Sequence, residues 1–195
     1  MSDPTVDARL ALALERLAQA QRAHLQLVAT QHGLSPLQVL ILDTLAAGAP
    51  PAPRTAALAQ ELDVRQPTLT EAINALVGKG LVLRRTDPAD RRRTTFELTG
   101  EGRIRAARLA VTSSPLEDAM ARVPDEAKRD LLETLLHVID ELHDAGVLGV
   151  ARTCTSCGHL RVRKGERRCD LLDLRLRRRD LRVDCETHVP AQRAG

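Results

Sequence analysis

Apolar residues recur at three- and four-residue spacing from residue 5 to 30, where Leu10, Leu14, Leu17, Leu25 and Val28 alternate with Arg and Gln. This periodicity predicts one long amphipathic helix whose stripe needs a partner, within the chain or on a second subunit. Ser35-Pro36 opens a second helix, Ser35 as N-cap and Pro36 in its first position, through Val39, Leu40 and Leu42 to Ala47. GAPPAPR (48–54) breaks it, and Thr55 caps a third helix that ends near Asp63. After the turn Arg65-Gln66-Pro67 a fourth helix runs to Leu76 or Val77, stopped by Gly78 and Gly80. LVLRR (81–85) and RTTFEL (93–98) flank the turn residues TDPAD. Phe96 and Leu98 alternate with Thr95 and Glu97, so this pair predicts a β-hairpin with one face inward. Thr99 caps a further helix with Glu101 in its first turn, interrupted by Pro115 and Pro124. The last strong stripe is Leu131, Leu135, Val138, Ile139 and Leu142, on a helix over 125–145, and no internal repeat is present.

Two short helices, a tight turn and an immediate hairpin predict a winged helix-turn-helix, whose second helix enters the DNA major groove. On that helix Leu69, Ile73 and Leu76 fall on one side, to pack on the third helix. Gln66, Thr68, Thr70, Glu71 and Asn74 face outward. Gln and Asn suit adenine, Thr is tolerant, and Glu can accept from cytosine. Arg65 precedes the helix, and Arg84, Arg85, Arg91, Arg92 and Arg93 cluster on the hairpin. Such a cluster either contacts phosphates and the minor groove or is a solvated loop.

The fold class expected is mainly α with a small β-hairpin wing: a winged helix-turn-helix, a helical dimerisation region and a small metal-stabilised C-terminal extension. The expected division is 1–34, an N-terminal dimerisation helix; 35–99, the DNA-binding domain; 100–149, C-terminal dimerisation helices; and 150–195, a cysteine-rich tail.

Composition narrows the function. The 195 residues can hold one good core, and Phe96 is the only aromatic. That suits packed aliphatic helices and argues against modules that stack bases on aromatic platforms. The net charge of +3 hides an asymmetry. Residues 1–150 carry 17 basic and 20 acidic side chains, and 151–195 carry 12 and 6. MSDPTVDARL lacks a signal-peptide pattern and no apolar run approaches the ~20 residues of a membrane span, so a cytoplasmic protein without a membrane partner is expected. No nucleophile motif, phosphate-cradling glycine loop or carboxylate pair around a histidine is present, and no enzymatic activity is expected.

The run TLTEAINALVGKGLVLRRTDPADRRRTTFELTGEGRIRAARL resembles the recognition helix, wing and following helix of the multiple antibiotic resistance regulator (MarR) family. The resemblance covers about residues 5–146 and is densest over 55–108. The family's wing pattern, Asp-x-Arg-Asp-x-Arg, is matched at Asp87, Asp90 and Arg92, with Ala89 at its first arginine position. By resemblance Arg92 is the wing-tip minor-groove residue, and Asp90 holds an arginine in place. Glu71 departs from the basic or neutral side chain often found there. The family's fold implies a homodimer interlocked through its first and last two helices. A palindromic double-stranded operator follows, with half-sites roughly 34–36 Å apart. Family members commonly release DNA when a small aromatic ligand enters the cleft between dimer and winged domains; others respond to cysteine oxidation.

The tail carries all four cysteines. In a reducing compartment they read as metal ligands before disulfides. Cys154 and Cys157, followed by Gly158 and His159, resemble a zinc knuckle; eleven residues intervene before Cys169 and fifteen more before Cys185, with His188 three positions on. Zinc takes four nitrogen or sulfur ligands. The first set is Cys154, Cys157, Cys169 and Cys185, with His188 as a substitute and His159 as a weaker candidate. An iron–sulfur cluster or reversible thiol oxidation stays open. Arg175, Arg177, Arg178 and Arg179, mixed with Leu and Asp, are expected to stay solvated. The reading is a dimeric repressor tuned by a metal, a redox change or a small-molecule effector. Its rivals are an iron–sulfur redox sensor and a winged-helix protein-interaction module with a structural zinc tail.

Overall fold

The computed structural model describes residues 3–48, 53–86, 94–112 and 114–191. It divides into two compact units, residues 1–55 with 66–121 and residues 56–65 with 122–195. The architecture is mainly helical with a small antiparallel hairpin, the expected fold class.

In the first unit α1 spans Val6–Gln31 and α2 Pro36–Ala47. Their starts are fixed by local chemistry. The Thr5 hydroxyl accepts from the Ala8 amide at 3.2 Å. Ser35 and Gln38 form a reciprocal capping box, with bonds of 3.3 and 3.2 Å, satisfying donors that a helix start leaves orphaned. α4 runs over Gln66–Gly78 and leads into β1 (Val82–Thr86), which pairs antiparallel with β2 (Thr94–Leu98). α5 (Gly100–Ala110) and α6 (Pro115–Ala121) complete the unit. α2 lies at its centre, touching α1, α4, α5 and β2, and its near-continuous apolar sequence follows from that position. Ile41, Leu42, Leu69, Ile73 and Leu76 are wholly or almost wholly buried, and Phe96 and Leu98 close the core from the hairpin.

Two contacts fix this unit's joints. The Lys79 ammonium donates to the Gly33 carbonyl at 2.5 Å and to Gln38 Oε1 at 3.3 Å, tying the end of α4 to the α1–α2 turn. The Thr99 hydroxyl donates to the Gly80 carbonyl at 2.7 Å and accepts from the Gly102 amide at 2.8 Å, seating α5 beside β1. The approach is so close that a Cβ on Gly102 would fall on the Leu81 carbonyl oxygen.

The second unit contains all of α3 (Thr55–Glu61) beyond its first residue, α7 (Asp125–Asp144) and the tail. No hydrophobic periodicity announces the tail's structure, yet it forms an antiparallel sheet of β3 (Leu160–Arg163), β4 (Glu166–Cys169) and β5 (Leu174–Leu176). The β3–β4 turn is made by Lys164 (φ 50) and Gly165 (φ 80), consecutive left-handed residues that match the twist of a hairpin. A 3-10 turn, Arg178–Asp180, packs against α7. Leu136 of α7, fully buried, meets Cys154, Leu176 and Leu181 in a small core flanked by Leu132, Leu160 and Cys169.

Arg175, Arg177, Arg178 and Arg179 are exposed, as the solvated reading expects, and they also make surface ion pairs. Arg175 pairs with Glu166 at 2.7 Å and Arg177 with Asp180 at 2.9 Å. Arg178 reaches Asp130 at 2.5 Å and Glu133 at 3.0 Å, and Arg167 pairs with Glu133. The acidic face of α7 supplies partners that lie far off in sequence.

Gly102→Ala is expected to destabilise the protein by about 1–3 kcal/mol through overpacking against Leu81. Gly100→Ala, which meets open space, should stay within about 0.5 kcal/mol of the parent. Urea denaturation of both variants tests the contrast.

Candidate nucleic-acid interface and cysteine pocket

α4 is amphipathic in the sense its sequence predicts. Leu69, Ala72, Ile73 and Leu76 are buried, while Gln66, Thr68, Thr70, Glu71 and Asn74 are exposed, as is Arg65 just before the helix. The Thr70 hydroxyl donates back to the Gln66 carbonyl at 2.8 Å, leaving its lone pairs outward. Asn74 is held from the hairpin: the Arg84 guanidinium donates to its Oδ1. That bond orients the carboxamide with its NH2 group free to donate. On β1, Arg85 pairs with Glu97 of β2 at 3.3 Å. Arg84 and Arg85 are therefore engaged as well as exposed. Arg91, Arg92 and Arg93, with Asp87, Ala89 and Asp90, lie outside the described residues.

Residues 32–93 match the MarR family model. Several solved structures are similar to the chain. The transcriptional regulator PA3341 is 27% identical with a TM-score of 0.61, over 69% of this chain and 98% of its own. The transcriptional regulator BldR from Sulfolobus solfataricus is 26% identical with a TM-score of 0.55, over 71% and 99%. A MarR transcriptional regulator from Methanosarcina mazei Go1 shares the fold at 20% identity, with a TM-score of 0.58 over 70% and 97%. No curated protein matches the chain. Among the described residues no helix is long and apolar enough to cross a membrane.

The tail gathers Cys154, Cys157, Cys169 and Cys185 around one small cavity of about 20 Å³. Leu160, Leu172 and Leu176 share its lining, as do His159, Arg182 and Thr187. Backbone bonds hold the first pair: the Cys157 amide donates to the Cys154 carbonyl at 3.3 Å, and the Gly158 amide to the Val189 carbonyl at 2.7 Å. Gly158 fits tightly, since a Cβ there would stand 3.3 Å from the Pro190 carbonyl oxygen. Cys169 arrives on β4, and Cys185 is placed by the hydrogen bond its amide donates to the Arg152 carbonyl at 3.0 Å. Donors face the sulfurs: the Arg182 amide lies 3.2 Å from Cys154 Sγ, and its guanidinium 4.0 Å from Cys185 Sγ. Burial pushes the Cys154 thiol up. Burial also raises the Cys185 thiol, but hydrogen bonds from Thr187 and Arg182 outweigh it and leave the group below the ordinary thiol value. Among the described residues no three His, Cys, Asp or Glu side chains already stand as a metal cage.

His188 is placed elsewhere. It lines a separate cavity of about 250 Å³ with His143, Asp144 and Arg152, and its Nε2 lies 3.3 Å from the Ser156 hydroxyl. Burial lowers its pKa.

The sequence reading missed the residues that bind this region together. Thr153 is fully buried and donates to Asp140 of α7 at 2.6 Å. Arg152 joins Glu61 of α3 at 2.5 Å and Asp184 at 2.6 Å. Arg152 and Glu61 are 91 positions apart, so no local spacing links them.

Arg84→Ala and Asn74→Ala, made singly and together, should show a coupling of about 0.5–1.5 kcal/mol in a double-mutant cycle of unfolding. Strictly additive effects would mean the tie does not hold in solution.

Proposed function

We propose that the protein is a cytoplasmic, homodimeric transcriptional repressor that binds a palindromic DNA operator through α4 and the wing. The observation that carries this reading is the face of α4: base-reading side chains exposed along one side, aliphatic anchors buried along the other. Inserted in the major groove, Gln66 and Asn74 present carboxamides to adenine edges, and Thr68 and Thr70 meet neighbouring bases. Arg65, Arg84 and Arg85 lie where phosphates flank the groove, and Arg91, Arg92 and Arg93 extend the contact into the minor groove.

The dimer reading is supported by α1. From Val6 to Ala23 every residue is exposed, with Leu10 at 58%, Leu14 at 40% and Leu17 at 42%. On α7, Leu131, Val138 and Leu142 are each 40% exposed. A second subunit covers these stripes, and its two-fold axis makes the operator palindromic. An effector site is supported by a cavity of about 340 Å³ lined by Arg22, His24, Leu25, Val39, Asp43 and Leu109. Its size fits a small molecule. A ligand there favours one spacing of the two recognition helices and so changes DNA affinity.

Gln66→Ala should weaken binding to the preferred palindrome by about 1–3 kcal/mol and leave non-specific binding nearly unchanged. Arg65→Ala should weaken both and lower the salt slope of log K by about 1. Fluorescence anisotropy across a salt series separates the two effects. Leu14→Glu with Leu17→Glu should convert dimer to monomer in sedimentation equilibrium; a variant that stays dimeric would place the interface elsewhere.

A further inference from the structure

We propose that Cys154, Cys157, Cys169 and Cys185 bind one zinc ion as a tetrathiolate site, and that this site fixes α3 through Arg152. The four cysteines come from three separate stretches of the tail, yet all line one cavity whose wall also holds Leu160, Leu172 and Leu176. At about 20 Å³ its free space is close to that of a single water. That is room for one ion. The liganding sulfurs close on the ion by side-chain rotation, each thiol losing its proton as its sulfur binds.

Hydrogen-bond donors already face two of the sulfurs. A zinc ion with four thiolates carries a net charge of −2, which a dry aliphatic wall alone would not tolerate. Here the Arg182 amide already points at Cys154 Sγ and its guanidinium approaches Cys185 Sγ. N–H donors to sulfur of this kind orient and stabilise metal-bound thiolates.

The link to α3 runs through adjacent backbone. Arg152 lies two residues before Cys154, and its carbonyl accepts from the Cys185 amide at 3.0 Å. The Cys154 amide in turn donates to the Arg182 carbonyl at 3.0 Å. Drawing Cys154 and Cys185 onto one ion therefore sets the position of Arg152, whose guanidinium bridges Asp184 and Glu61 of α3. The Gln60 carboxamide adds a bond to the Gly149 carbonyl at 3.2 Å. α3 has only seven residues, too short to hold its shape unaided. The consequence for DNA affinity rests on the function proposed above; the metal site and its hold on α3 do not, so the two ideas fail separately.

The test uses the full chain purified under reducing conditions. Metal analysis should find one zinc per chain. After chelation, cobalt(II) titration should give the visible absorption of a tetrahedral thiolate complex, saturating at one equivalent per chain and lost in Cys169→Ser. Reduced, titratable thiols with no cobalt–thiolate absorption would overturn the site, and iron with labile sulfide would overturn the choice of zinc. Amide hydrogen exchange of residues 56–61 should be slow in the zinc-loaded protein and about tenfold faster after chelation. The same acceleration is expected in Glu61→Gln, which keeps its zinc. Exchange that is unchanged by metal removal, or by Glu61→Gln with zinc retained, would overturn the link to α3.

Discussion

The Arg152 guanidinium, held between the carboxylates of Glu61 and Asp184, brings together three stretches of chain that the sequence keeps far apart. Glu61 ends α3, Arg152 leads into the first cysteine pair, and Asp184 precedes the last cysteine. Only arginine suits this place, because its planar fork can meet two carboxylates in one plane while a lysine ammonium is a single point. Both carboxylates push its pKa upward. Arg152 and Glu61 are each about four-fifths buried, so removing Arg152 leaves the Glu61 carboxylate in a poorly solvated place without this partner. The tail is thus tied to α3 within the second unit, through a contact two residues from the first of the pocket cysteines.

The first unit solves a different problem: presenting polar side chains rigidly. α4 is anchored by Leu69, Ile73 and Leu76 and tied at its end by Lys79, so its exposed face is stiff. Asn74 is oriented by Arg84 before any partner arrives. Such preorganisation reduces the entropy lost on binding. With one aromatic in the whole chain, the core depends on close aliphatic packing. That is why the approach of α5 to β1 leaves no room for a side chain at Gly102.

How much was legible in the sequence follows from the range of each interaction. α1, α2, α4 and α5 were readable because their signals are local: three- and four-residue apolar spacing, Ser35 and Thr99 as caps, glycines at the stops. The hairpin was readable from two-residue alternation, and the polar face of α4 from the same periodicity that buried its other side. The four cysteines could be picked out by type and spacing. Whether they meet could not, since spacing alone does not bring Cys169 and Cys185 to the knuckle.

By itself the sequence determined the helical order, the wing and the outward residues of α4, because each depends on neighbours within a turn or a strand pair. Only tertiary structure decided that the tail folds as a three-stranded sheet beside α7 and that Arg167 and Arg178 are paired with α7's carboxylates. It alone turned His188 toward Ser156, away from the cysteines, and brought Arg152 to Glu61. Those outcomes depend on pairings across tens of residues, where loop closure and packing choose the partner and local propensity carries no record of it.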